Sequence, residues 1–138
     1  ATIAASGLQD RIRITGFASD EMFEQYLSVA DLAVQLRTQS RGETSAAVLD
    51  CMNYGIPLVC NAHGSAAEVD AAAICMLRDD FDDAELIESI EALAADADRR
   101  AGLGNLASTI IRAGRTEAPM RLSASAATIA PSPPPASR

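Results

Sequence analysis

The spacing of hydrophobic residues along the chain changes several times between the periods of strands and of helices. Residues 11–17 (RIRITGF) alternate charged and apolar side chains before Gly16, which predicts a strand that starts at the rim of a sheet. Ser19 and Asp20 are good capping residues, and a helix is predicted to follow them. Its apolar positions are Met22, Phe23, Tyr26, Leu27 and Ala30. Residues 31–36 (DLAVQL) contain few polar positions and predict a short strand covered on both faces.

The alternation of helices and strands continues downstream. Residues 43–54 predict a helix that Gly55 ends as a left-handed cap. Its core-facing residues are predicted to be Ala47, Val48, Cys51 and Met52. The later predicted elements are a strand at 56–60, a turn at 61–65, a strand at 72–77 and helices at 83–96 and 98–113. This order predicts an α/β fold in which a parallel sheet is flanked by helices.

Composition changes after Gly114, where Ala, Ser, Thr and Pro dominate as far as the end of the sequence, APSPPPASR. Such a segment has too little apolar surface to offset the entropy lost on ordering. We therefore expect one folded domain over residues 1–113 and a disordered tail over residues 114–138.

Charge and hydropathy narrow the classes of function. The formal net charge is −8, and all eleven basic residues are arginines, so a nucleic-acid binder is not expected. No apolar run approaches the ~20 residues of a membrane span, and no signal peptide is visible. We expect a soluble cytoplasmic protein, with peripheral attachment to the inner membrane open for the full-length protein.

Two groups of side chains have ordinary interpretations. Residues 79–98 contain nine acidic and no basic side chains, which fits a solvated helical face, with an acidic docking surface as the alternative. Cys51, Cys60 and Cys75 lie in apolar surroundings without ligand spacing. Buried, reduced thiols explain them better than metal binding or catalysis.

The 37–44 loop is the first candidate for chemistry. It follows a predicted strand and leads into a helix, and ligands of open parallel sheets bind at such places. Gly42 would let the backbone approach an anion, Thr44 and Ser45 add hydroxyl donors, and Arg41 supplies charge. The loop therefore predicts either a diphosphate site or a plain helix cap.

Asp50 is the second candidate. It lies on the same predicted helix between Leu49 and Cys51, where an unpaired charge would be costly. Its carboxylate could accept hydrogen bonds from two adjacent ribose hydroxyls, or it could bind a neighbouring backbone group or an Arg. The residues alone leave both alternatives open.

Residues 41–59, RGETSAAVLDCMNYGIPLV, resemble the E-x7-E region of glycosyltransferase family 4. Asp50 falls on the second acid of that motif, Met52 on its Met, Gly55 on its Gly and Pro57 on its Pro. The similarity extends upstream through residues 7–37, and downstream through HGSAAEV to the acidic helix. About residues 7–112 are covered, with these elements in the family's order.

The resemblance implies the carboxy-terminal, Rossmann-like half of the two-domain glycosyltransferase B fold, truncated at its amino-terminal side. It implies a retaining, hexosyltransferase-type enzyme of polysaccharide biosynthesis that uses a nucleoside-diphosphate sugar without a metal or other cofactor. The acceptor would lie on an amino-terminal domain of the same protein, and this chain alone would be inactive.

Site residues carry over from the resemblance. Asp50 would contact the ribose, and the donor's diphosphate and sugar would lie against Arg41, Gly42, Glu43, Thr44 and Ser45. Glu43 would be the catalytic residue that matches the first acid of the motif, although the spacing here is E-x6-D because Gly42 stands eight residues before Asp50.

Two further polar residues and two other functions stay open. His63 is interpreted as a surface turn residue, with a contact to the donor sugar as the alternative. Glu68 matches an acid of the family's loop, or it pairs with a nearby Arg. A non-catalytic nucleotide-binding or assembly module and a sugar-nucleotide epimerase of the same architecture are the alternative functions.

Overall fold

The computed structural model describes residues 3–39 and 45–114. These residues form a small α/β unit in which strands and helices alternate along the chain. The elements are α1 (Ile3–Ser6), α2 (Asp20–Val29), β1 (Ala33–Gln35), α3 (Ala46–Asn53), β2 (Leu58–Asn61), a 3₁₀ turn (Gly64–Glu68), β3 (Cys75–Leu77), α4 (Asp83–Ala95) and α5 (Ala97–Gly114).

The strands form one parallel sheet in the order β1-β2-β3. Ala33 pairs with Leu58 and Gln35 with Cys60 on one side of β2, and Asn61 pairs with Leu77 on the other. Every residue of the central strand β2 is buried, whereas β1 is half-buried. The expected parallel sheet flanked by helices is confirmed, but β1 is less covered than its sequence predicted.

Helices cover both faces of the sheet because alternate residues of β2 point to opposite sides. Leu58 and Cys60 join the larger cluster, which includes Phe23 and Met52 from α2 and α3. Val59 joins Leu77 of β3 and Leu93 of α4 in the smaller one. The expected core-facing side of the third helix is confirmed. Its four residues are buried: Ala47, Val48, Cys51 and Met52. Met22, one of the apolar positions of α2, is exposed.

Helix ends follow the sequence closely. Ser19 caps α2 by accepting a hydrogen bond from the Met22 backbone N–H at 3.3 Å. Asp82 and Glu85 form a reciprocal capping box at the start of α4. Gly55 follows α3 with φ +67°, the left-handed conformation predicted for it.

The prediction of a strand at 11–17 is wrong. The segment is irregular and mostly exposed, and Phe17 is 95% exposed. A strand requires a neighbouring strand for its backbone hydrogen bonds, and no strand of the described sheet pairs with this segment. Alternation of side chains by itself therefore does not form a strand here.

The third helix begins later than predicted, at Ala46 rather than Glu43, because Ser45 is its capping residue. Several predictions fall outside the described residues. They concern Arg41, Gly42, Glu43 and Thr44 of the 37–44 loop, and the tail from residue 115 onward.

The acidic run is solvated as predicted, and one of its members is paired with an arginine. Glu88 and Glu91 are exposed on α4, whereas Glu85 accepts hydrogen bonds from the Arg78 guanidinium at 2.9 and 3.1 Å. Those bonds hold the pKa of Glu85 below its usual value, and its bond to the Asp82 backbone adds to the effect. In the part of the chain that the structure describes, no helix is long and apolar enough to cross a bilayer.

Candidate functional site

Helix α3 and the carboxyl ends of the three strands lie at the same edge of the sheet. A parallel sheet with crossover helices places strand carboxyl ends and helix amino ends together. The end of β1 and the amino end of α3 both lie at this edge, and residues 62–65 follow β2 there. The edge is the expected place for a ligand, and its described polar residues fall into two groups.

The first group lies on α3. Ser45 is buried, and its Oγ accepts a hydrogen bond from the Val48 N–H at 3.4 Å. Capping uses an oxygen lone pair, so the Ser45 hydroxyl hydrogen can still be donated. Because the first N–H groups of a helix lack helical partners, this end of α3 favours negative charge.

Asp50 is also buried, with 4% of its surface exposed. Side chains of a helix tilt towards its amino terminus, over the residues three and four positions earlier. Those residues are Ala46 and Ala47, which have small side chains. Helix geometry therefore tilts the Asp50 side chain towards the amino end of α3.

The charge of Asp50 also affects its neighbour. Burial raises the pKa of the Cys51 thiol to about 12, and the nearby Asp50 carboxylate contributes to the same shift. The thiol is therefore protonated at neutral pH and unsuited to nucleophilic attack, since the thiolate is the nucleophile.

The second group connects the strand ends. Asn61, the last residue of β2, is 2% exposed. Its Oδ1 accepts from the Arg37 backbone N–H at 2.9 Å, and its Nδ2 donates to the Arg37 carbonyl at 2.8 Å and to Asp79 Oδ1 at 3.1 Å. The chemistry of these partners fixes the amide orientation, because one is a donor and two are acceptors.

Asp79 links this amide to the lone histidine. The carboxylate of Asp79 accepts from His63 Nδ1 at 2.8 Å through Oδ1 and lies 3.1 Å away through Oδ2. A carboxylate only accepts, so Nδ1 carries the proton and neutral His63 would present Nε2 as an acceptor. His63 lies in the turn that its sequence predicted, but Asp79 orients it.

Glu68 is exposed at the end of the 3₁₀ turn. The cysteines are free thiols, with Cys51 and Cys60 buried and Cys75 half-buried. Among the described residues, no group of three or more His, Cys, Asp or Glu side chains could hold a metal ion.

A family model described as glycosyl transferases group 1 matches residues 1–96, which is more than half of the chain. The chain belongs to the group 1 glycosyltransferases. Within the described part of the 41–59 region, the buried polar residues are Ser45, the cap of α3, and Asp50 on that helix.

A solved structure gives the same picture of the fold. The chain is similar to the crystal structure of Anabaena Alr3699/HepE in complex with UDP, with a TM-score of 0.65 and 22% sequence identity. The alignment covers 80% of this chain and 30% of that one. The chain thus spans less than a third of the length of that protein. No curated protein matches it in sequence.

Sequence reasoning missed the hydrogen bond by which Asn61 and Asp79 connect the strand ends. Asn61 ends an apolar strand, and a polar residue at the carboxyl end of a buried strand was the signal that could have identified it. Asp79 was grouped with the acidic run. Its role depends on His63 and Asn61, which are 16 and 18 positions away.

Proposed function

We propose that this chain is the donor-binding half of a retaining, hexosyltransferase-type glycosyltransferase that transfers a sugar from a nucleoside-diphosphate sugar to an acceptor. The acceptor site would lie on another domain of the same protein. The observation that carries the proposal is the burial of Asp50, 4% exposed, on α3, whose amino end lies at the carboxyl edge of the sheet. Family membership and the shared fold support it.

Donor binding would use α3 and the loop before it. The Asp50 carboxylate would accept hydrogen bonds from two adjacent ribose hydroxyls, which a carboxylate with two oxygens can do. The diphosphate would lie at the start of α3, where backbone N–H groups and the Ser45 hydroxyl can donate to it. Arg41, Gly42 and Thr44 would complete the contacts from the loop.

In such a reaction the donor's bond between sugar and diphosphate breaks, and negative charge develops on the departing diphosphate. Hydrogen-bond donors and the positive end of a helix stabilise this charge more in the transition state than in the ground state. No metal or other cofactor is required by this scheme. Glu43, matched to the first acid of the motif, would contact the transferred sugar.

The test compares two substitutions that each remove one negative charge. Asp50→Asn preserves the size of the side chain but removes the negative charge that strengthens the hydrogen bonds it would accept. Glu91→Gln removes the charge of an exposed acid on α4. We expect Asp50→Asn to weaken binding of a nucleoside diphosphate by about 1–3 kcal/mol, or roughly 5- to 150-fold. Glu91→Gln should bind like the unmodified chain.

Calorimetry with UDP, GDP and ADP, beside thermal melting of each variant, would measure both effects. Equal affinity of the Asp50→Asn and Glu91→Gln variants would remove Asp50 from the ribose site. An unmodified chain that binds none of the three nucleotides would contradict the donor-binding function itself.

A further inference from the structure

Asn61 is the buried polar side chain that joins the three strand ends. A buried carboxamide is costly unless its donors and acceptor are hydrogen-bonded. Both N–H groups of Nδ2 and a lone pair of Oδ1 are used, with partners at 2.8–3.1 Å. The side chain is therefore held in one orientation by groups from two other segments.

One of those segments is the start of the 37–44 loop. The last pair between β1 and β2 is Gln35 with Cys60. Asn61, the next residue of β2, therefore lies beyond the last residue of β1. Arg37 lies just past the end of β1. The Asn61 carboxamide accepts from its N–H and donates to its carbonyl, and so takes the place of the backbone donor and acceptor of a neighbouring strand.

The loop is thereby anchored at both ends. Arg37 is fixed by the Asn61 side chain, and Ser45 is fixed as the cap of α3. Between these anchors lie residues 38–44, which contain the four loop residues proposed to contact the donor. Fixing the ends of a loop reduces the conformational freedom that ligand binding must otherwise remove.

The third hydrogen bond, from Asn61 to Asp79, connects the Asn61 side chain to the segment after β3. Asp79 also accepts from His63, so the residues that follow β2 and β3 are connected to the same point. A change at Asn61 would thus move the start of the loop relative to the whole carboxyl edge.

We propose that Asn61 is a positioning residue for the donor: by binding both the backbone N–H and the backbone carbonyl of Arg37, it sets where the 37–44 loop leaves the sheet. Asn61 acts through the loop and is not itself assigned a contact with the nucleotide sugar. The proposal rests on the proposed donor-binding function, which the experiment below tests separately.

Three variants of the full chain separate positioning from stability. Asn61→Ala removes all three side-chain hydrogen bonds. The double variant Asn61→Asp/Asp79→Asn keeps similar volumes and avoids two facing carboxylates, but position 61 can no longer donate to the Arg37 carbonyl. Asp79→Asn alone is the matched control, because an amide at 79 can still accept from Asn61 and the Arg37 anchor is retained.

The first measurement needs no ligand. In NMR hydrogen exchange, the Arg37 amide should be protected in the unmodified chain and in Asp79→Asn, and should exchange on the order of tenfold faster in Asn61→Ala. An unprotected Arg37 amide in the unmodified chain would overturn the anchor.

The second measurement is the dissociation constant for UDP, GDP or ADP, taken well below each variant's melting temperature so that every chain is folded. We expect Asn61→Ala and the double variant to bind on the order of tenfold more weakly than Asp79→Asn. A purely structural role would lower the melting temperature and leave these constants unchanged, which would overturn the proposal.

The remaining outcomes are also decisive. If neither Asn61 variant folds, Asn61 serves the whole domain and the positioning role is wrong. If the unmodified chain binds a nucleotide and the folded Asn61 variants bind it equally well, only the positioning role fails. If the unmodified chain binds no nucleotide, the donor-binding function fails and the positioning role with it.

Discussion

Gly104 of α5 lies against Gly55, the left-handed residue that ends α3. A Cβ atom added to Gly104 would overlap the carbonyl oxygen of Gly55, and one added to Gly55 would lie 3.3 Å from the Gly104 carbonyl oxygen. The two helices therefore meet through their backbones. This contact fixes the carboxyl end of the helix that carries Ser45 and Asp50.

Gly104→Ala should destabilise the domain although alanine favours a helix, because backbone atoms of Gly55 cannot move away as a flexible side chain could. We expect a loss of about 1–3 kcal/mol, the usual range for overpacking. Gly102→Ala is the control, since a Cβ there meets nothing within 4 Å, and it should stabilise α5 by about 0.5–1 kcal/mol. Urea unfolding would measure both, and equal effects of the two substitutions would refute the close contact.

Two phenylalanines of opposite exposure give a test of the core. Phe23 is buried in the larger cluster, so Phe23→Ala should cost about 3–5 kcal/mol of unfolding free energy. Phe17 is exposed in the segment that forms no strand, so Phe17→Ala should stay within about 0.5 kcal/mol. A large loss for Phe17→Ala in denaturant unfolding would mean that this segment packs against the domain.

The thiols should differ in reactivity. Burial raises the pKa of Cys51 to about 12, and burial with the neighbouring Cys75 raises that of Cys60 to about 11. At pH 8 both are protonated and inaccessible, so a thiol reagent should label Cys75 first and the other two only on unfolding. Mass spectrometry of the labelled native chain would locate the reaction, and rapid labelling of Cys51 would contradict its burial.

The same shifts predict alkaline destabilisation. The unfolded thiols have a pKa near the reference value of 9.0, so between pH 9 and about 11–12 the folded state binds more protons than the unfolded state. The stabilisation is complete below pH 9 and is lost as pH rises through that window. Cys51→Ala should reduce the fall in melting temperature between pH 8.5 and 10.5, whereas an unchanged slope would assign the fall to other groups.

The chain by itself should bind a nucleoside diphosphate weakly and transfer no sugar. Transfer requires donor and acceptor in reactive geometry, and the proposed acceptor site lies on a different domain. Incubating the chain with labelled nucleoside-diphosphate sugars and a mixture of acceptors would test this, with released nucleoside diphosphate as a second readout. Measurable transfer to any acceptor would show that residues 1–138 contain a complete active site.

Much of the architecture follows from local sequence. The apolar spacing of α3, the left-handed Gly55 after it and the capping residues Ser19 and Asp82 identify helices from interactions within a few residues of one another. The buried strand β2 is recognisable as an apolar run between turn residues. The family motif then places Asp50 on a helix, where the structure finds it buried.

Interactions between distant residues were decided only by the tertiary structure. Segment 11–17 alternates like a strand, but a strand also needs a partner, and the described sheet provides none beside it. Asn61 resembled a turn residue until the fold brought the Arg37 peptide, 24 positions away, within hydrogen-bonding distance. The sequence thus determined the helices, the buried strand and the position of Asp50, because caps and periodicity act over a few residues. The tertiary structure decided the Asn61 anchor and the contact between Gly55 and Gly104, because each depends on two backbone segments that only the folded sheet brings together.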